Sequence, residues 1–332
     1  MELSRNDLVL VTGATGLVGG HVVERLRAAN IPVRALVREA ADTQLLEKWG
    51  TELSTGDLSD SVSLQRAADG ATVVVHCAAK VGDWGPADAY RAINVEGTRA
   101  LLDAVQQSGA LKRFVHISSL GVYEARDHYG TDESEAPNAA GIDGYTLTKV
   151  ESEQLVKAYI GDKKLPAVIL RPGFIYGPRD RTVLPRILEK LTQKKFKYLG
   201  STDKLMNNTH VGNLCDAILL AIEHDDTIGQ VFNIRDNRAV SKKEFIDTIA
   251  TTAGLVAPTA VVPLFVAKSL ARILETTWQA LGKSEAPLVS QARIKFLGLN
   301  LDFSIDKAKH ELGYAPKVDF AEGMREAVAS LI

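Results

Sequence analysis

The chain has 332 residues, with 39 Lys and Arg against 41 Asp and Glu and a formal net charge of −2. Apolar residues make up 45% and charged residues 24%; this excludes a disordered or fibrous chain, and charge without blocks of one sign points away from nucleic acid and towards a small-molecule partner. Cys77 and Cys215 are too few for a disulfide framework or a zinc site, and "MELSRNDLVL" lacks the basic start and long apolar run of a secretory signal, so a reducing, cytoplasmic setting is expected.

Apolar runs and helix-length segments alternate through the first half. Leu8 to Val11, Val33 to Val37, Thr72 to Cys77, Phe114 to Ile117 and Ala167 to Leu170 read as strands, and their unbroken hydrophobicity suits parallel strands covered on both faces. Leu17 to Ala29, Tyr90 to Gln107 and Tyr145 to Ile160 carry helical patterns between them. The alternation predicts an α/β fold, a doubly wound parallel sheet (Rossmann) with a smaller C-terminal substrate-binding lobe. Beyond residue 180 the alternation loosens, and Thr251 to Lys283 has long apolar stretches with another rhythm. The expected division is 1–180 for the sheet, completed by a return strand near 230–235, and 181–332 mostly for the second lobe. No linker separates them, so a shared interface and a cleft along it are expected.

In "LVLVTGATGLVGGHVVERL", Gly13, Gly16 and Gly19 fall between the first strand and the first helix at the stride GxxGxxG. Glycine permits the tight turn, lets backbone N–H groups approach a pyrophosphate at the helix N-terminus, and allows close helix–strand packing. A turn with two packing glycines would read the same in isolation. The flanking strands and helix favour a dinucleotide held by Gly13 to Gly19, with Thr15, Leu17 and Val18 included. The second strand ends in "ALVRE", so Arg38 stands beside the place where an acidic residue would hold the ribose hydroxyl of NAD. A guanidinium can grip a ribose 2′-phosphate bidentately, which favours NADP, with NAD and a merely solvated Arg38 as alternatives.

"GYTLTK" places Tyr145 and Lys149 one helical turn apart on one face. A phenol with a reference pKa of about 10 is a poor acid or base at neutral pH unless a cation favours its phenolate, which Lys149 can supply. "YIGDK" repeats the spacing with Tyr159 and Lys163, but Gly161 and Pro166 are expected to end the helix there. In "FVHISSLGVY" the strand runs into Ser118 and Ser119, at the carboxyl edge where open α/β sheets bind ligands; a hydroxyl there could hold a substrate carbonyl or simply cap a turn.

The motifs "TGATGLVG", "GDL", "HCAA", "NVEGT", "SSLGVY", "YTLTK" and "RPGFIYGP", in this order, resemble the extended short-chain dehydrogenase/reductase superfamily, and the closing "FSIDKAKHELGYAPKVDFAEGMREAV" resembles its last segment. The resemblance implies Ser119 as catalytic serine, with Ser118 as the alternative, Tyr145 as proton donor or acceptor, and Lys149 binding the nicotinamide ribose. It further implies that Asp57 and Leu58 contact adenine, that Ala78, Ala79 and Lys80 line the cofactor, that Asn94 supports the site through its helix, and that Pro172 and Gly173 flank the nicotinamide. A dimer through the helices beginning near Tyr90 and Tyr145 is also implied.

Two enzyme classes then compete. Nucleotide-sugar epimerases and dehydratases of this superfamily usually carry an arginine shortly before "HV", where this chain has Asn207 and Asn208, poor partners for a diphosphate. "AAKVGDWGPADAYRAINVEGT", with Trp84 and Gly85, and "HVGNLCDAILLA" resemble the 3β-hydroxysteroid dehydrogenase branch and its bacterial β-keto acid reductase relatives. The expected substrate is therefore an apolar secondary alcohol or ketone, sterol-like or long-chain β-keto or hydroxy acid, with a dihydroflavonol-reductase-like ketone as a further option. After Pro263, Val266, Leu270, Ile273, Leu274 and Trp278 recur at helical spacing; the helix could lid an apolar substrate, pack on the sheet, or make peripheral membrane contact. A dinucleotide-sensing regulator without turnover is the non-enzymatic alternative, and the intact Tyr145 and Lys149 pair argues against it.

Overall fold

The structure, a computed structural model, describes residues 1–283 and 285–332. Seven parallel strands form the central sheet: β1 (Val9–Thr12), β2 (Val33–Val37), β3 (Glu52–Thr55), β4 (Val73–His76), β5 (Arg113–Ile117), β6 (Ala167–Pro172) and β7 (Val231–Ile234). Their spatial order is β7-β6-β5-β4-β1-β2-β3, so the winding reverses between β1 and β4, the place where such sheets bind ligands. Strand side chains alternate: Val9, Val11, Val73, Val75 and Val115 face one core, and Leu10, Val74 and Phe114 face the other. That two-sided burial is the cause of the unbroken apolar runs. Strand β3, which no such run announces, is at the sheet edge and exposes Glu52 and Thr55.

The packing crosses the division expected at residue 180. Helix α1 (Leu17–Ala28) shares its core with α4 (Val211–Glu223), whose Leu214, Ile218 and Ile222 are fully buried, and with Ile305, Leu312 and Tyr314. The opposite face carries α2 (Gly97–Ser108) and α3 (Gly144–Lys163). The second lobe has its own core around Tyr176, Phe245, Phe320 and Met324. Helix α5 (Leu264–Ala280) departs from the expected pattern: it buries Ala267 and Ala271, which allow close approach to α6 (Gln291–Gly298), and leaves Phe265, Val266, Leu270 and Ile273 exposed. Helix α3 also runs through Gly161, so Tyr159 and Lys163 are held in register after all. Their partner is Asp103, to which Tyr159 Oη donates at 2.7 Å and Lys163 Nζ at 3.2 Å.

Candidate active site

A cleft of about 730 Å3 runs along the carboxyl ends of β1, β2, β3 and β4. Gly13 to Gly19, Arg38, Asp57, Leu58, Ala78, Ala79 and Lys80 all line it. At its floor α1 begins at Gly16 with no side-chain cap and no acidic residue in its first turn. Its first N–H groups therefore lack intrahelical partners and carry the positive end of the helix dipole, which fits a pyrophosphate. The turn is pinned by His76, whose Nδ1 is 2.7 Å from Thr12 Oγ1 and whose Nε2 is 2.9 Å from Thr98 Oγ1; Ala78 N–H donates to Thr12 Oγ1 at 3.2 Å. Burial holds the His76 imidazole down to about 3, so it stays neutral and serves as a brace. Asp57, at the end of β3, is held low by bonds from Ser59 N–H and Oγ, and Arg38 acts in the same direction.

Sequence reasoning missed two further arginines in the cleft, Arg179 and Arg181. Arg179 pairs with Glu24 on α1 at 2.6 Å and lies over the Trp49 ring at 5.2 Å. Neither carries a motif; the preceding "GP" turn marks only a loop.

The remaining expected residues gather beyond the cleft's lining, where β5 and α3 meet. Asp143 caps α3, its carboxylate accepting from Thr146 N–H at 2.7 Å, which sets Tyr145 in the first turn and Lys149 in the second. Lys149 Nζ donates to Ile117 O at 2.8 Å, at the end of β5, and is 5.9 Å from the Tyr145 ring centroid. Burial lowers the ammonium to about 8, against the pull of Cys77 and Glu153. Burial likewise pushes the Tyr145 phenol up to about 12; the neighbouring Ser119 hydroxyl works against this and Asp143 adds to it. The phenol is thus not lowered as expected: Lys149 is turned to the Ile117 carbonyl, and burial dominates.

Ser119 and Ser118 separate cleanly. Ser119 Oγ accepts from Gly121 N–H at 3.0 Å and keeps its own proton free to donate. Ser118 is turned into the core, where its Oγ donates to Glu153 Oε1 at 2.5 Å; its side chain is unavailable to substrate or cofactor. Glu153 in turn holds Arg171 by bonds of 2.8 and 2.6 Å, and Arg171 donates to Tyr123 Oη at 2.8 Å. Asn94 stands in a π-helical segment, Ala92–Glu96, that interrupts the expected helix just before α2. Its Oδ1 accepts from Lys80 N–H at 2.7 Å and its Nδ2 donates to Thr148 Oγ1 at 3.0 Å, tying the cleft wall to α3. Pro172 is buried, and Gly173 is glycine because a Cβ there would collide with Asn207 O. Asn208 is also structural, its amide donating to Asp236 at 2.9 Å.

Comparison with known proteins finds relatives along nearly the whole chain. A family model described as the NAD dependent epimerase/dehydratase family matches residues 9–234. The chain is 31% identical to a 4-hydroxy-2-methyl-3-oxo-4-farnesyl-3,4-dihydroquinoline-1-oxide ketoreductase of Stigmatella aurantiaca over 95% of this chain and 93% of the relative. It is also 31% identical to a 2-alkyl-3-oxoalkanoate reductase of Shewanella oneidensis, over 97% and 85% respectively. A 3-beta-hydroxysteroid dehydrogenase of Mycolicibacterium neoaurum matches at 31% identity, covering 98% of this chain and 92% of the relative.

Proposed function

We propose a function from this premise: the chain belongs to the NAD dependent epimerase/dehydratase family, and within it acts as a dehydrogenase/reductase on a hydroxyl or keto group of an apolar substrate. The observation that carries the reading is the grouping of Ser119, Tyr145 and Lys149 at the end of β5, next to a cleft whose uncapped helix start fits a dinucleotide. Full-length similarity to reductases and a hydroxysteroid dehydrogenase favours it over a nucleotide-sugar epimerase. A prenylated ketone, a 2-alkyl-3-oxoalkanoate or a 3-hydroxysteroid is the substrate class that these relatives suggest.

The Gly13 to Gly19 turn would hold the pyrophosphate, Asp57 and Leu58 the adenine, and Lys149 the nicotinamide ribose; when bound, the cofactor supplies or accepts the hydride. Ser119 Oγ donates a hydrogen bond to the substrate carbonyl oxygen. Tyr145 Oη gives that oxygen its proton as the alcohol forms, and takes it back in the oxidative direction. Arg38 favours NADP. Mixing the protein with NADPH and the three ketone types, with NADH and Tyr145→Phe alongside, tests all of this. Turnover lost on the order of 10²- to 10⁴-fold in Tyr145→Phe with cofactor affinity kept is expected; unchanged turnover sinks the mechanism, and equal use of NADH sinks the role of Arg38.

Two partner proposals follow. No helix among the described residues is long and apolar enough to cross a membrane, but α5 exposes Phe265 and Ile273 at 73% and 64% beside Lys268 and Arg272, a pattern that fits peripheral contact with an anionic lipid surface. Flotation with anionic liposomes at low salt tests it, and protein left unbound refutes it. Self-association through α2 and α3 is expected to give a dimer by sedimentation; a monomer at micromolar concentration refutes that.

A further inference from the structure

A second buried lysine reaches the catalytic loop from the other lobe. Lys295, on α6, is 8% exposed, and its Nζ donates to Gly121 O at 2.7 Å and to Tyr123 O at 2.5 Å. Among the described residues it makes no ion pair within 4 Å. Burial lowers it to about 8, with the carboxylates of Asp143 and Glu124 acting in the other direction. Burying an ammonium on neutral carbonyls is costly, and an apolar side chain would fill the space without supplying two donors.

The carbonyls it grips belong to the turn that orients Ser119. Gly121 N–H donates to Ser119 Oγ at 3.0 Å, so a single residue is held at its carbonyl by Lys295 and holds the serine hydroxyl with its N–H. The same helix reaches the other wall of the site, where Arg293 Nε donates to Asp83 Oδ2 at 2.7 Å. Trp84 Nε1 donates to Lys283 O at 2.9 Å and closes the same seam. Helix α6 is therefore fastened to both loops that frame the reaction centre.

We propose that Lys295 is a positioning residue for Ser119: its ammonium fixes the Leu120–Val122 turn, so that the serine hydroxyl is aimed beside Tyr145 only while α6 of the substrate lobe is seated. The inference rests on the catalytic reading of Ser119 and Tyr145. It makes closure of the second lobe part of the catalytic geometry, by way of one side chain.

The test is a double-mutant cycle in steady-state reduction with NADPH, using Lys295→Met, Ser119→Ala and the two combined, on a ketone that the wild type turns over. Lys295→Met is expected to lower kcat on the order of 10- to 100-fold, with the KM for NADPH within about twofold of the wild type. In the Ser119→Ala background the second substitution should have no further effect, because nothing remains to be positioned. Losses that multiply, or a loss confined to the KM for NADPH, overturn the proposal. If Lys295→Met does not fold, Lys295→Arg takes its place in the cycle, where a smaller loss of kcat that vanishes in the Ser119→Ala background is expected and an equal loss with or without Ser119 overturns it. If the wild type reduces none of the ketones, the catalytic reading itself fails, and hydrogen exchange decides the positioning claim. Lys295→Met must then speed exchange of the Gly121 amide about tenfold or more while α3 is unchanged; an unchanged Gly121 amide overturns it.

Discussion

The three glycines of the first turn look equivalent in sequence, but their surroundings rank them. A Cβ on Gly19 would stand 2.7 Å from Gly13 C, 2.9 Å from Ala14 Cα and closer still to Gly13 O, all of them backbone atoms. On Gly16 it would meet only Gly13 O, at 3.2 Å. Overpacking costs about 1–3 kcal/mol, and with no flexible side chain to yield, Gly19→Ala belongs at the upper end. The helix propensity gained by alanine returns about 1 kcal/mol, leaving a net loss of about 2 kcal/mol. Gly16 is the N-cap of α1, with φ −85°, which alanine can adopt, and its replacement costs about 0.5–1 kcal/mol through the weaker cap. On the proposed reading of this turn as the pyrophosphate cradle, Gly16 governs how closely the phosphates approach the N–H groups, so Gly16→Ala should lose dinucleotide affinity tenfold or more, about 1.4 kcal/mol, while remaining nearly as stable as the wild type. Gly19→Ala should lose both. Urea unfolding without cofactor gives the stabilities, and quenching of Trp49, which lines the cleft, gives the affinities. Equal destabilisation by the two substitutions, or a more stable Gly19→Ala, refutes the packing argument.

Other consequences can be measured directly. Arg171→Met strands the Glu153 carboxylate, each partner being 1% exposed, and should cost about 3–5 kcal/mol in urea unfolding; a loss under about 1 kcal/mol would show that the pair is not isolated from water. For Asp7, burial acts to raise the carboxyl, but bonds from Lys112, Ser4 and Thr72 outweigh it and hold the group at about 2, against 3.8 for the free side chain. Its contribution, about 2 kcal/mol, is present above pH 3.8 and lost as pH falls through about 2. Asp7→Asn should therefore be less stable than the wild type at pH 7, with a gap that closes in acid; a gap unchanged at pH 2 refutes the linkage. Because the phenol is pushed up to about 12, ketone reduction should show no inflection from Tyr145 between about pH 6 and 9, whereas oxidation of the alcohol should rise through that range. Oxidation that falls with pH contradicts the assignment.

The sheet was legible because parallel strands buried on both faces must be apolar without interruption; β1, β2, β4, β5 and β6 all announce themselves that way. The glycine turn was legible because its flanking elements limit what it can be. What escaped is what periodicity does not encode. Ser118 and Ser119 are adjacent and chemically identical, and only the strand's alternation and the buried Glu153 decide which one faces the core. The apolar positions of α5 recur at helical spacing, but the buried stripe follows Ala267 and Ala271, since small residues permit the closer approach. Asn207 and Asn208 occupy the place before "HV" that a substrate-binding cation would take, but Asn208 is bound to Asp236 across 28 positions of sequence. Lys295 carries no motif at all, and its meeting with Gly121 spans 174 positions.

The electrostatics around Tyr145 bear on the direction of reaction. A phenol raised to about 12 by burial, with Asp143 adding to the shift, carries its proton throughout the neutral range, which is the form that ketone reduction consumes. Alcohol oxidation needs the phenolate, and Lys149, the buried cation one turn away, donates to the Ile117 carbonyl and is itself lowered to about 8. Each unit of phenol pKa above the ambient pH costs about 1.4 kcal/mol of phenolate formation, so the oxidative direction carries a charge penalty that reduction does not. A site intended mainly to oxidise would gain from a cation aimed at the phenol oxygen; here the second lysine, Lys295, is likewise turned to backbone carbonyls, those of Gly121 and Tyr123. Lys149 holds the end of β5 and Lys295 the turn that follows it, and on the proposed reading of Tyr145 that arrangement suits a proton donor better than a base.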